Sequence, residues 1–264
     1  MEFLNILILS FVQGMSEFLP ISSSGHLVIF QNILQIDQEG SLAFDVALHL
    51  GTILAIMVFF YKEVLILLQD SLKFITGKEK KPRLVFQIIA STIPAVVFGF
   101  VLIHYNLVDN FRIIPIIAFN LIFFGILLYI IDIKSPQKTD LYSISVKQGF
   151  LIGIAQALAL IPGVSRSGIC ITMGRLLQID KIATIKYGML ISIPSILGAA
   201  VLTLFDIGNS NFAVFDFVLG IVFSFIFGLL VIKFLLEFVK RFSFKAFMIY
   251  RILLGIIILV YYFY

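Results

Sequence analysis

The chain has 264 residues, 61% of them hydrophobic and only 13% charged, where soluble domains carry about 45–50% apolar and about 25% charged side chains. At a mean hydropathy of +1.11 a single aqueous core cannot hide the apolar surplus, so a water-soluble fold is excluded and lipid must cover the remainder. A net charge of +4 would suit a nucleic-acid ligand, but the Lys and Arg residues fall between the apolar runs, where membrane topology accounts for them, and no nucleic-acid partner is expected.

The first apolar stretch, about 2–19, contains Gly14 and Ser16 and is closed by Pro20; a second short apolar piece follows at about 23–35. This pair reads as re-entrant, entering and leaving by one face. A first span covers about 44–61. Lys62 to Lys81 then place the apolar run Val64 to Leu68 among Lys and Asp residues, which fits a short interfacial helix. Spans follow at about 83–103 and 113–131. Residues 145–162 and 166–179 repeat the interrupted pattern as a second re-entrant pair, and spans at about 186–205, 214–235 and 247–263 complete a set of six. Each approaches the roughly 20 apolar residues that a crossing needs. The expected fold is an all-α polytopic membrane protein, one integral domain over residues 1–264, with six transmembrane helices and two re-entrant helix pairs. The start, Met-Glu-Phe-Leu-Asn, lacks the positive region of a secretory signal, so the N-terminus is expected to be retained. Cys170 stands alone and permits no internal disulfide.

Cytoplasmic loops carry the excess of Lys and Arg. Alternating the six spans places sixteen of the nineteen basic residues on one side. Arg112 falls on the other, Arg251 near the cytoplasmic end of a span, and Arg166 inside the second re-entrant segment. Both termini are then expected outside, with the first re-entrant pair dipping from outside and the second rising from inside.

Displacing the chain against itself by 143 residues aligns Gln13 to His26 with Gln156 to Ile169 without a gap. Gln13/Gln156, Ser22/Ser165, Ser24/Ser167 and Gly25/Gly168 match, and Pro20 and Pro162 each precede a serine run. Repeat one covers about 1–132 and repeat two about 144–264. Three spans separate equivalent points, so the copies are inverted, an arrangement that places substrate sites at broken helices near the midplane.

A proline ahead of Ser22 and Ser165, with serine favoured as an N-cap, predicts that a helix restarts at each serine with its amides aimed at the break. Two such helix ends make an anion site. Arg166 suits phosphate oxygens, since a guanidinium at that depth is costly unless used; its alternative is an ion pair with Glu17. Glu17 reads as a divalent-cation ligand, a base, or that pairing partner. His26 lies three residues after Ser23, on one helical face, which would allow base-assisted attack by the hydroxyl. Gly25 and Gly168 would let backbone approach a ligand. Thr172 either returns to the break or bonds its own helix. His49 and His104 are expected near span ends, at cavity walls or interfaces. No Walker loop, dinucleotide fingerprint or His/Cys metal cluster is present in the sequence.

The segments QGMSEFLPISSSGHL at 13–27 and PGVSRSGICIT at 162–172 resemble the two signature segments of the bacterial undecaprenyl-diphosphatase family of the bacitracin-resistance type. The resemblance covers the whole chain. It implies a multi-pass enzyme of the bacterial plasma membrane that removes the terminal phosphate of a C55 isoprenoid diphosphate for cell-wall synthesis. By motif position it implies a catalytic core of Glu17, Ser23, His26 and Arg166. Phosphate would be held by Ser22, Ser24, Gly25, Ser165, Ser167, Gly168 and Thr172. A divalent cation, Mg²⁺ or Ca²⁺, would bind at Glu17; the family pattern opens with Glu or Gln, and here Gln13 leaves Glu17 as the one carboxylate. Membrane lipid and the lipid diphosphate are the expected partners, and a homodimer is compatible with the sequence. The alternative function is a secondary transporter or flippase of a lipid phosphate or other anion, which the same broken helices would serve.

Overall fold

A computed structural model describes residues 1–36, 38–78, 83–105, 111, 113–207 and 213–263. Lys80, Lys81 and Arg112, used in the topology reading, lie outside the described residues. Eleven helices are found among those described, with an isolated bridge between Thr139 and Ile179 and no strand. They are α1 (Phe3–Ser16), α2 (Ser23–Ile33), α3 (Gln38–Phe59), α4 (Tyr61–Ile75), α5 (Arg83–His104), α6 (Ile114–Lys134), α7 (Val146–Leu158), α8 (Arg166–Leu176), α9 (Lys181–Ile207), α10 (Val214–Arg241) and α11 (Lys245–Phe263).

Six of these, α3, α5, α6, α9, α10 and α11, are long and apolar enough to cross a bilayer, so the chain is a multi-pass membrane protein. Their positions match the six expected spans, most with longer ends. The largest extensions are at the start of α3, which begins at Gln38 rather than near 44, and at the end of α10, which runs to Arg241 rather than 235. Polar residues at these ends continue the backbone ladder because a helix need not stop where hydrocarbon does. The expected interfacial helix is α4, which buries none of its residues. The four interrupted pieces become α1, α2, α7 and α8, each of 14 residues or fewer.

Packing follows small residues. α3 lies along α10 so closely that a Cβ on Gly51 would stand 2.4 Å from the Ile221 carbonyl oxygen, the kind of backbone approach by which membrane helices gain dispersion contact. α1 also packs on α10, α7 on α5, and α11 on α6. Phe100, Leu230 and Ile257, each more than 60% exposed in the isolated chain, show that the outer faces of α5, α10 and α11 are apolar, as a lipid-facing surface requires. Phe18, Leu19 and Ile21, from the break between α1 and α2, are buried against Leu190 of α9 and Leu235 of α10. The first break therefore lies in protein, where irregular backbone can be satisfied.

The two breaks share an unusual backbone. Ser22 and Ser165 both have positive φ, 77° and 72°, and each is the N-cap of an 11-residue helix. Gln35 and Gln178, just past the ends of those helices, are also positive in φ, at 53° and 62°. These four residues and Gly77 and Gly163 complete the positive-φ set among the described residues.

Candidate active site

Both helix restarts fall one residue later than the sequence suggested, at Ser23 and Arg166, because the serines serve as caps. The caps are not equivalent. Ser165 Oγ accepts from the Gly168 amide at 3.2 Å, whereas Ser22 makes no side-chain cap bond. Among the described residues, the amides of Ser23, Ser24 and Gly25 on α2, and of Arg166 and Ser167 on α8, have no protein acceptor. These unpaired N–H groups carry the positive end of each helix dipole.

Glu17, the C-cap of α1, is 5% exposed, and its Oε1 accepts from Arg166 Nη2. Its other oxygen accepts from Gln13 Nε2 at 3.0 Å, one helical turn earlier. The same Gln13 nitrogen donates to His49 Nδ1 at 2.8 Å, and His49 Nδ1 stands 3.7 Å from Glu17 Oε2. The Ser23 side chain is a near neighbour of the Glu17 carboxylate. Two buried atoms here lack a protein partner: Arg166 Nη1 and Gln13 Oε1. An orphaned guanidinium donor beside a carboxylate is a place where an anion's oxygen can bind.

Both ring nitrogens of His26 bond groups other than Ser23. His26 Nδ1 meets the Ser22 carbonyl at 2.7 Å and Nε2 meets the Tyr250 hydroxyl at 2.6 Å. A carbonyl only accepts, so Nδ1 carries the proton and Nε2 accepts from Tyr250. The two rings are stacked, with centroids 5.6 Å apart. His26 therefore faces Tyr250, while Ser23 neighbours Glu17. Thr172 takes the second of its two options, donating to the Gly168 carbonyl of its own helix at 2.8 Å. Ser167 donates to the Leu19 carbonyl at 2.8 Å, which ties α8 to the opposite break and leaves its amide, rather than its hydroxyl hydrogen, for a ligand.

Three residues were placed wrongly or missed. His49 lies in the middle of α3 rather than near its end, because that helix starts six residues earlier than expected, and it stands beside Gln13 and Glu17, consistent with the expected cavity-wall position. Arg251 is not at a span end: it is fully buried, donating to the carbonyls of Pro20, Asn120, Leu121, Gly163 and Val164. It clamps both breaks to α6. Gly163 beside it has φ of +87°, and a Cβ there would stand 2.5 Å from the Ile117 carbonyl oxygen, so only glycine fits. Tyr250 gave no sequence signal beyond being a tyrosine in a span. Arg251 did give one, a charge six residues inside an apolar helix.

A recess of about 20 Å³ is lined by Glu17, Arg166, Ser167, Gly188 and Met189. It has room for about one water, not for a diphosphate. The start of α2 is less enclosed: Ser24 is exposed and a Cβ on Gly25 would meet only Ser22 Oγ, at 3.7 Å. Among the described residues no three His, Cys, Asp or Glu side chains converge. A hard divalent cation would still find two oxygen donors in Glu17 and the orphaned Gln13 Oε1, with phosphate oxygens and water completing the shell. The residues fit such an ion when it is shared with a phosphate.

An Arg–Glu pair and two sets of bare amides at helix breaks define, by fold and site, a multi-pass membrane protein whose free donors suit an anion. The chain belongs to the bacitracin resistance protein BacA family, whose model matches residues 6–257. It is 43% identical over 258 residues to the undecaprenyl-diphosphatase of Caldicellulosiruptor bescii, covering 96% of this chain and 95% of that one. The undecaprenyl-diphosphatase of Alteromonas mediterranea is 39% identical over 263 residues, 98% of both chains, and that of Elusimicrobium minutum 40% identical over 260 residues, again 98% of both.

Proposed function

We propose that this chain hydrolyses undecaprenyl diphosphate to undecaprenyl phosphate and inorganic phosphate, the activity its relatives are named for, and thereby renews the lipid carrier of cell-wall synthesis in the bacterial plasma membrane. The observation that carries the reading is Arg166, held by Glu17 through one terminal nitrogen while the other lacks a protein partner. The terminal phosphate docks at the less enclosed start of α2, against the amides of Ser23, Ser24 and Gly25, with Arg166 and the α8 amides on its far oxygens. Arg166 then shares its charge with phosphate, and the Glu17 carboxylate is released toward Ser23.

In the favoured sequence Ser23 Oγ attacks the terminal phosphorus, its proton passes to Glu17, and the bond from that phosphorus to the bridging oxygen breaks, freeing undecaprenyl phosphate. Water then cleaves the phosphoserine and phosphate departs. His26, held as the Nδ1–H tautomer by the Ser22 carbonyl and by Tyr250, positions the first turn of α2 and offers a second proton-transfer group; direct attack by His26 or by water is the rival route. A divalent cation held by Glu17 and Gln13 Oε1 would supply charge neutralisation to the diphosphate. Fixed positive groups aimed at developing phosphoryl charge are the main source of rate in such reactions.

The inverted repeat is supported by the 143-residue spacing that relates both positive-φ serines and both positive-φ glutamines. It makes α1–α2 and α7–α8 re-entrant pairs entering from opposite faces. Termini outside agree with the ion pair of the Met1 amine to Asp216, at the end of α10 away from Lys233, Lys240 and Arg241. All site residues come from one chain, so a homodimer is not required to complete the site.

The test is phosphate release from undecaprenyl diphosphate by detergent-purified protein, with and without chelator, beside uptake by proteoliposomes. Release without a membrane barrier, abolished by chelator and restored by Mg²⁺ or Ca²⁺, is expected. Uptake with no release would replace hydrolysis by transport.

A further inference from the structure

Away from the breaks, a cavity of about 380 Å³ opens between the α3–α4 junction, the first turns of α9 and the last turns of α10. That volume falls in the range of small-ligand pockets, about 300–1,000 Å³. Four lysines line it, Lys62, Lys186, Lys233 and Lys240, against two acids, Glu63 and Glu237. Both acids are consumed: Glu63 pairs with Lys186 at 3.0 Å and Glu237 with Lys240 at 2.5 Å. Lys62 and Lys233 form no ion pair within 4 Å among the described residues, and although Glu237 also feels Lys233, the wall keeps an excess of two positive charges. The wall also has aromatic surface. Lys186 Nζ stands 5.5 Å from the Phe60 ring centroid and Lys62 Nζ 5.9 Å from that of Tyr61.

The cavity lies where spans meet water. It touches the end of α3, and Tyr61, Lys62 and Glu63 in its wall open α4, whose Leu65, Leu68 and Leu72 are exposed. A helix with an apolar face and no buried residue lies on the bilayer surface. A basic pocket between helices at that level is the geometry that takes an anionic lipid headgroup.

We propose that this cavity binds the phosphodiester headgroup of an anionic membrane phospholipid, with Lys62 and Lys233 on the phosphate oxygens and the acyl chains lying along the apolar face of α4. The site is separate from Glu17 and Arg166 and does not depend on what they catalyse.

Native mass spectrometry of the purified protein, titrated with phosphatidylglycerol, phosphatidylcholine and inorganic phosphate, reads the occupant. Wild-type protein is expected to retain phosphatidylglycerol in preference to phosphatidylcholine. The double variant Lys62→Gln/Lys233→Gln loses that preference by roughly twenty-fivefold, at about fivefold per lysine. Lys62→Arg/Lys233→Arg keeps it, and an unchanged melting temperature in both variants excludes misfolding. Equal retention of the two lipids by wild type, or an undiminished preference in the Gln pair, would overturn the proposal. Displacement of phosphatidylglycerol by an equal concentration of inorganic phosphate would assign the cavity to free phosphate and overturn it as well.

Discussion

At the scale of single residues, three arginine and tyrosine side chains divide the labour. Arg166 keeps a donor free, Arg251 spends its guanidinium on backbone carbonyls, and Tyr250 spends its hydroxyl on His26. Tyr250→Phe removes one hydrogen bond of about 0.5–1.5 kcal/mol, so kcat for phosphate release is expected to fall about threefold to tenfold with KM little changed. A kcat equal to wild type would remove Tyr250 from the account. Arg251→Ala leaves five carbonyls without their donor in the protein interior; a loss of about 3 kcal/mol or more is expected, read as a lowered melting temperature and poor recovery of folded protein. Glu17 and Arg166 were legible in the sequence because a charge inside an apolar run must have a use. His49 and Tyr250 were not, since they reach the site from residues 36 and 224 positions away in the chain, and such contacts leave no local pattern.

At the scale of elements, the breaks are held by strained caps. Both Ser22 and Ser165 sit at positive φ, which costs an L residue roughly 1–2 kcal/mol. Ser165 recovers part of this through its bond from the Gly168 amide, while Ser22 has no such bond. Ser22→Gly is therefore expected to stabilise the protein by roughly 0.5–1 kcal/mol after the flexibility of unfolded glycine is counted. Ser165→Gly is expected to gain less. Calorimetry or thermal aggregation of the two variants ranks them, and a larger gain for Ser165→Gly would contradict the difference between the caps. The sequence identified these helices, their prolines and their serines, because punctuation by Pro and Ser is a local signal. It could not reveal that Ser167 binds the Leu19 carbonyl or that Thr172 turns onto its own helix, since hydroxyl direction depends on neighbours from other segments.

At the scale of the whole molecule, composition alone identified the solvent, and the six apolar helices follow from it. Helix ends were less legible, because apolar content marks the hydrocarbon while the backbone ladder of α3 and α10 continues beyond it. The proposed topology predicts that a cysteine replacing Glu2 reacts with an impermeant maleimide in intact cells, and that one replacing Lys78 or Lys147 reacts only after permeabilisation; the reverse pattern would invert the molecule. Cys170 is buried and should not compete for the label. The Arg166–Glu17 pair at the meeting of the two breaks is expected to carry phosphate release. That role is tested most directly by assaying undecaprenyl diphosphate hydrolysis with purified Arg166→Lys and Glu17→Gln proteins whose melting temperatures stay near that of wild type. A fall of about a hundredfold or more in kcat is expected for each, as for loss of a group aimed at transition-state charge. Turnover within a few-fold of wild type in either folded variant would contradict the account.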